Sequence, residues 1–259
     1  KDPEASAKRR IRGKNFRLLK RGIYEAFDGT GSQKGFVNEL LKNNGRGELT
    51  DQDVLLDCKE YRIICRRITN STNERTLISS VVPKGVVSVD STFTLRPFEV
   101  DPSKEDLSKE PLHDVYSRIF TDRELFVTVG LINSIPFDFL MRTKINTNVV
   151  MYKFEESQMP RLTEGDEWFE YIWTRSARLN CYGDEFDEMR ERLDGIEPAT
   201  DKGERRDLQA EIDAGAFHAY GLDEKEVEYV LDDFHRVQDP RRMTESYFEL
   251  VKDKYRELH

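Results

Sequence analysis

Hydrophobic and polar positions change rhythm twice along the chain. Residues 8–21 scatter Ile11, Phe16, Leu18 and Leu19 among eight basic residues and no acid, which reads as a solvated basic arm or a phosphate-tracking segment. Glycines at 29, 31, 35, 45 and 47 then mark loops. From Glu60 the texture is that of strands. Residues 61–68 and 77–83 are β-rich runs, Lys84-Gly85 turns the chain, and Val86-Val87-Ser88-Val89 supplies a further strand of a mixed or antiparallel sheet. A polar stretch, residues 69–75, separates the first two runs.

The second change is to helical spacing. Thr121-Asp122-Arg123-Glu124 has the form of a capping box ahead of the apolar run 125–132. Ser134 and Pro136 suit the cap and first turn of a second helix over 136–142, whereas 149–154 reads as a strand and Pro160 closes that layer. Beyond Gly165, Trp168, Phe169, Ile172 and Trp173 form a broad apolar face, and Phe186, Met189 and Leu193 continue it. After a linker at 195–203, Asp201 with Glu204 caps a helix carrying Leu208, Ile212, Phe217 and Tyr220, which Gly221 stops. Asp223 with Glu226 caps the next, with Val227, Val230, Leu231 and Phe234, and Thr244 opens the last, with Phe248, Val251 and Tyr255. The expectation is an α+β protein. Residues 1–162 form a β-rich mixed α/β recognition layer, and residues 163–259 form an acidic helical bundle serving as scaffold or docking surface.

Composition sharpens this picture. Charged residues make up 35% and hydrophobic ones 37%, and the 10% aromatic content argues against disorder. The net charge of −9 speaks against nucleic acid until the chain is divided. Residues 1–150 hold 25 basic and 21 acidic side chains, and the remainder holds 16 and 29. The first part is therefore positive, and the helical part should turn away from phosphate. Three cysteines without CxxC spacing and four scattered histidines argue against a disulfide framework or a zinc cluster, and for reduced thiols in the cytoplasm. No apolar run reaches the roughly 18 residues that span a bilayer, and the basic start lacks the apolar segment of a secretory signal.

No concentration of catalytic groups stands out. There is no GxSxG, no Cys–His spacing and no dinucleotide fingerprint, and the glycines at 29–35 lack the order of a phosphate loop. Asp57-Cys58-Lys59 after Asp53 faintly resembles the acid-x-Lys pair of metal-dependent nucleases, in which two carboxylates and a Lys hold a metal and orient a water. The polar patches carry more. Arg pairs bidentately with guanine and Asn with adenine. Arg66, Arg67, Asn70, Asn73 and Arg75 supply both types in one patch, and Lys144, Asn146 and Asn148 form a second. Arg9, Arg12 and Lys20 of the basic segment would hold phosphates.

Three blocks carry a resemblance. They are residues 68–78 (Ile-Thr-Asn-Ser-Thr-Asn-Glu-Arg-Thr-Leu-Ile) with 82–86, residues 130–142 with 156–161, and residues 219–223 with 229–234. In this order they resemble the C-terminal part of large adenine-specific DNA methyltransferases, which occur in fused restriction-modification systems and in bacteriophage exclusion. The resemblance covers roughly residues 60–235. It implies a target-recognition role on double-stranded DNA, with base flipping and S-adenosylmethionine binding left to a methyltransferase catalytic domain or partner subunit. This chain has neither an S-adenosylmethionine loop nor an [N/D]PP[Y/F] motif, so methyl transfer does not carry over to it. Asn73, Glu74, Arg75 and Asn133 are expected to hold the fold. Two alternatives stand beside DNA recognition: a helical protein-interaction module, and a metal-dependent endonuclease domain.

Overall fold

The computed structural model describes residues 3–88 and 90–258. In chain order its regular elements are α1 (Pro3–Ala26), α2 (Gln33–Asn43), β1 (Arg62–Arg66), β2 (Ser79–Val82), β3 (Thr92–Thr94), β4 (Phe98–Val100), β5 (Tyr116–Arg118), α3 (Asp122–Ile132), α4 (Ile135–Lys144), α5 (Met151–Glu155), α6 (Glu167–Asn180), α7 (Asp187–Arg192), α8 (Lys202–Ala219), α9 (Glu224–Asp233) and α10 (Glu245–Glu257). Helices with small antiparallel sheets make the class α+β. The chain divides into two compact units. One comprises residues 1–62, 83–89 and 95–119, and the other residues 63–82, 90–94 and 120–259. This division differs from a single boundary at 162, because residues 63–82 and 120–162 pack with the C-terminal helices.

In the first unit, the basic run 8–21 is part of a helix. Asn15, Leu19 and Ile23 recur at four-residue spacing on one buried stripe of α1, flanked by Ile11 and Phe16. That stripe joins Val37 and Leu41 of α2 with Leu107, Leu112 and Val115 in one core. Packing of this stripe orders a segment that its charge alone would have left solvated. Gly22 lies against Val100 of β4, where a Cβ would collide with the valine side chain. Strands β4 and β5 pair antiparallel, with Glu99 opposite Ser117.

In the second unit, a three-stranded sheet has the order β2-β1-β3, and Cys65 lies opposite Phe93. The third strand comes from 92–94, whereas 86–88 form no strand; Val89 and His259 lie outside the described residues. The stretch 149–154 also differs from expectation. Val149 donates to the Arg67 carbonyl at 2.8 Å, and beyond it the chain closes onto itself, with Phe154 N donating to Val150 O at 3.2 Å as α5 begins. The Phe154 ring then meets Phe93 and Phe137 edge-on, at 5.5 and 5.8 Å. Local i→i−4 bonds and two aromatic partners outweigh β propensity here.

Helices α3, α8 and α9 form where the caps predict, whereas Ser134 and Thr244 precede α4 and α10 without a side-chain cap bond. Residues 181–186, with Gly183 at φ +94°, interrupt the expected continuation of the α6 face into α7. The Thr121 amide donates to Glu124 Oε2 at 2.7 Å and the Glu124 amide to Thr121 Oγ1 at 3.2 Å, closing the box that opens α3. Asp201 and Asp223 cap α8 and α9, and Gly221 ends α8 at φ +70°. Helix α3 is buried almost all round. Gly130 on α3 faces Ser176 and Ile172 of α6, and Gly215 on α8 faces Tyr171, so α6 is held close by glycines on both neighbours. Phe217, Val230, Phe234, Phe248 and Tyr255 fill the core between α8, α9 and α10. Among the described residues, no single helix is long and apolar enough to cross a membrane.

Candidate nucleic-acid interface

The polar loop 69–76 is held from α4. Asp138, fully buried, accepts from the Leu77 amide at 2.7 Å, the Thr76 amide at 3.2 Å and Arg142 Nε at 3.3 Å. Arg142 Nη1 donates to the Ser71 carbonyl at 3.0 Å, and Nη2 donates to the Asn73 and Glu74 carbonyls at 2.7 Å each. Its guanidinium also lies 4.1 Å from the centre of the Phe234 ring. Burial lowers the Arg142 pKa, and the Asp138 carboxylate opposes that shift. Three hydrogen bonds from one planar fork to its carbonyls hold this loop in place without regular structure.

Several expected base readers are engaged in the same framework. Arg66 Nη2 donates to the Arg75 carbonyl at 2.6 Å and to Thr69 Oγ1 at 3.1 Å. Asn73 Nδ2 donates to Thr69 Oγ1 at 3.3 Å, and Arg75 Nη2 donates to the Asn133 carbonyl. Asn133 in turn exchanges two 2.9 Å hydrogen bonds with the Ser79 backbone, standing in for a strand at the edge of β2. Glu74 accepts from the backbone amides of Arg242 and Met243. Lys144 Nζ is bound to Ser157 Oγ at 3.0 Å and to the Glu156 carbonyl at 3.2 Å.

The other readers face solvent together. Ile68 and Asn148 form an antiparallel bridge, flanked by Thr69 N donating to Thr147 O at 3.2 Å and by the Val149–Arg67 bond. This bridge stitches the two polar patches into one edge carrying Arg67, Asn70, Asn146 and Asn148, all exposed. Ile68, 63% exposed, stands among them, with Val150, Met151 and Tyr152 beyond. The composition of both patches was legible in the sequence, but their union across almost eighty residues was not.

In the first unit, Arg9 is exposed, Arg12 Nη1 lies 3.7 Å from Asp51, and Lys20 stands 4.5 Å over the Phe16 ring. The solvent face of α1 is instead Arg10, Lys14, Arg17 and Arg21, at i, i+4, i+7 and i+11. Arg21 pairs with Glu25 at 2.7 Å. Helical periodicity applied to this run would have selected Lys14 and Arg17 over Arg12 and Lys20.

The second unit also contains a cavity of about 1000 Å³. Arg66 and Arg75 line one side, Lys202, Arg205 and Arg206 of α8 another, and Arg241 and Arg242 the entrance to α10. Its two carboxylates are already occupied. Glu74 holds the 242–243 amides, and Asp213 accepts from Tyr247 Oη at 2.6 Å and from the Ile135 amide at 2.7 Å. Burial pushes the Asp213 carboxyl up to about 6. The acidic half of the sequence thus places five of its sixteen basic residues on one concavity. The average charge of this half does not show that concavity.

Asp53 and Asp57 are used structurally. Asp53 Oδ1 accepts from Arg46 at 2.8 Å and Leu112 N at 3.1 Å, and Oδ2 accepts from the Thr50 amide at 2.7 Å and Thr50 Oγ1 at 3.0 Å. Burial raises its pKa, but these four donors bring it below the usual value. Asp57 Oδ1 accepts from Asn15 Nδ2 at 2.9 Å. Four donors on the Asp53 carboxylate leave it poorly placed as a metal ligand, and among the described residues no group of three or more His, Cys, Asp or Glu is arranged to hold a metal. Comparison with family models, with curated proteins and with solved structures finds no match for this chain.

Proposed function

We propose that the chain recognises a DNA target sequence on behalf of an adenine-specific methyltransferase of a restriction-modification or phage-exclusion system. In this reading, residues 1–162 supply the recognition layer, and a separate catalytic domain or subunit binds S-adenosylmethionine. The observation that carries it is the Ile68–Asn148 bridge, which puts one free Arg and three Asn side chains on a single exposed edge. Arg67 suits guanine O6 and N7, the asparagines suit adenine N6 and N7, and Ile68 suits a thymine methyl. The basic stripe of α1 suits phosphate oxygens, which position a duplex without reading it. Three buried, unpaired cysteines suit a reducing compartment, the cytoplasm.

The test is selection from a pool of random-sequence duplexes by the full chain at several salt concentrations. A consensus should emerge, and Arg67→Ala or Asn148→Ala should relax it at single positions, each costing about 1–3 kcal/mol. Bound sequences indistinguishable from the input pool would sink the proposal. The exposed apolar residues Val150, Met151 and Tyr152 favour a second reading, docking of a protein partner at the same edge. Affinity for a partner chain that survives Arg67→Ala but not Tyr152→Ala would select it.

A further inference from the structure

The concavity of the second unit concentrates positive charge within a chain whose net charge is −9. Helix α8 presents Lys202, Arg205 and Arg206 to it, at i, i+3 and i+4, so one face of its first two turns is cationic. This is the helix end at which the backbone dipole disfavours cations. The acids beside it are already engaged: Asp201 accepts from the Glu204 amide at 3.0 Å, and Glu204 pairs with Arg178. Arg241 and Arg242 come from the segment before α10, and Arg66 and Arg75 from the opposite wall. Seven cationic side chains thus surround one hollow, against two carboxylates, Glu74 and Asp213.

These cations differ in what holds them. Arg205 donates to the Ala199 and Leu179 carbonyls at 2.8 and 3.0 Å, and Arg66 donates to the Arg75 carbonyl and to Thr69. Neutral acceptors fix both in place and leave their charge uncompensated. Arg206 donates to Ser246 Oγ at 2.9 Å, and no acid pairs with it among the described residues. Lys202, Arg241 and Arg242 are exposed at the rim, and no carboxylate pairs with any of them among the described residues. The backbone of Arg242 is itself pinned by Glu74. Fixed like charges around one hollow of about 1000 Å³ repel one another at a cost that a multivalent anion removes.

We propose that this concavity binds a multivalent phosphate-class anion on Lys202, Arg206, Arg241 and Arg242, with Arg66 and Arg205 adding positive field from the wall. Charge number selects the multivalent class, because a single monocarboxylate would leave most of the seven cations uncompensated. Geometry selects a tetrahedral oxyanion over a planar one. The rim donors reach the hollow from two separate segments, α8 and the stretch before α10, and guanidinium forks match phosphate oxygens bidentately. Phosphate groups come free, as in pyrophosphate, or strung along a nucleic-acid backbone, and both sources present the same oxygens. None of the rim cations lies on the Arg67–Asn148 edge, so binding here does not require base reading there.

Calorimetric titration of the full chain with pyrophosphate, inorganic phosphate and acetate at matched ionic strength tests this. Pyrophosphate should bind at least about tenfold tighter than acetate, with phosphate between them. Lys202→Ala combined with Arg242→Ala, both at exposed positions, should weaken pyrophosphate about tenfold or more without lowering the melting temperature. Arg67→Ala should leave pyrophosphate binding unchanged, whatever it does to DNA affinity. A single-stranded oligonucleotide that displaces pyrophosphate, and itself loses affinity in the double variant, would identify the nucleic-acid backbone as the source. One that leaves pyrophosphate in place would identify the free anion. Pyrophosphate binding no tighter than acetate, or equally tight in the double variant, would overturn the proposal. So would an Asp- and Glu-rich peptide that binds this face more tightly than pyrophosphate does.

Discussion

The Glu74 carboxylate accepts a 2.6 Å hydrogen bond from the Met243 amide, and the same oxygen accepts from the neighbouring Arg242 amide. One acidic side chain in a loop thus anchors a segment that precedes α10 and lies 168 residues away in sequence. The side chains of Arg241 and Arg242 line the cavity because this anchor fixes their backbone. Glu74→Ala should free both amides, costing about 1.5–3 kcal/mol in urea unfolding and accelerating hydrogen exchange at 241–244 before elsewhere. Unchanged exchange there would show that the anchor is dispensable.

Arg142→Ala should be more damaging. It would leave the buried Asp138 carboxylate with only the more distant Arg75 guanidinium, at 4.0 Å, and strip donors from three carbonyls, costing about 3–5 kcal/mol. Arg142→Lys should recover little, since an ammonium cannot span the same acceptors in one plane. Equal stability of the Lys variant and the wild type in denaturant unfolding would contradict this geometry.

Asp213 gives stability a distinctive pH dependence. Its folded carboxyl, pushed up to about 6 by burial, keeps a proton that the unfolded chain releases near 3.8. Stability from this group is therefore complete below the lower value and is lost as pH rises through about 6, by at most about 3 kcal/mol. Asp53 and Asp106, both held below the usual carboxylate range, act oppositely and at lower pH. Unfolding free energies measured from pH 5 to 7 should fall more steeply in the wild type than in Asp213→Asn, whose remaining slope comes from His235, held above its usual value by Glu245 and Asp232. Parallel curves would exclude Asp213 as the source.

On α1, replacing both Lys14 and Arg17 with Ala should weaken duplex binding for all sequences alike. It should also reduce the slope of log K against log salt by about 2. A change in the selected consensus, with the slope intact, would place those residues on bases instead.

Gly130→Ala tests the approach of α3 to α6. A Cβ there has no space beside Ser176 and Ile172, so the substitution should cost about 1–3 kcal/mol despite the better helix propensity of alanine. Stabilisation on thermal unfolding would mean that the two helices separate readily.

Short-range signals determined much of the fold. The Thr121–Glu124 and Asp223–Glu226 boxes, the Asp201 cap and the Gly221 stop each act within four residues, where side chain and backbone meet whatever the rest of the chain does. The sequence by itself therefore determined the helices of the second half, the β character near 62–66 and 79–82, and the two polar patches. Only the tertiary structure decided how those pieces are used. It turned the basic run 8–21 into a helix because Leu19 and Ile23 found a core, and it ended the 145–149 extension in a helical turn once Phe154 met Phe93 and Phe137. It consumed Arg66, Asn73 and Arg75 in the framework and left Arg67, Asn70 and Asn148 exposed. The reason is physical: a guanidinium or an amide carries the same donors wherever it stands, and which acceptors come within 3 Å depends on pairings such as Ile68 with Asn148 and Glu74 with Met243 that span most of the chain.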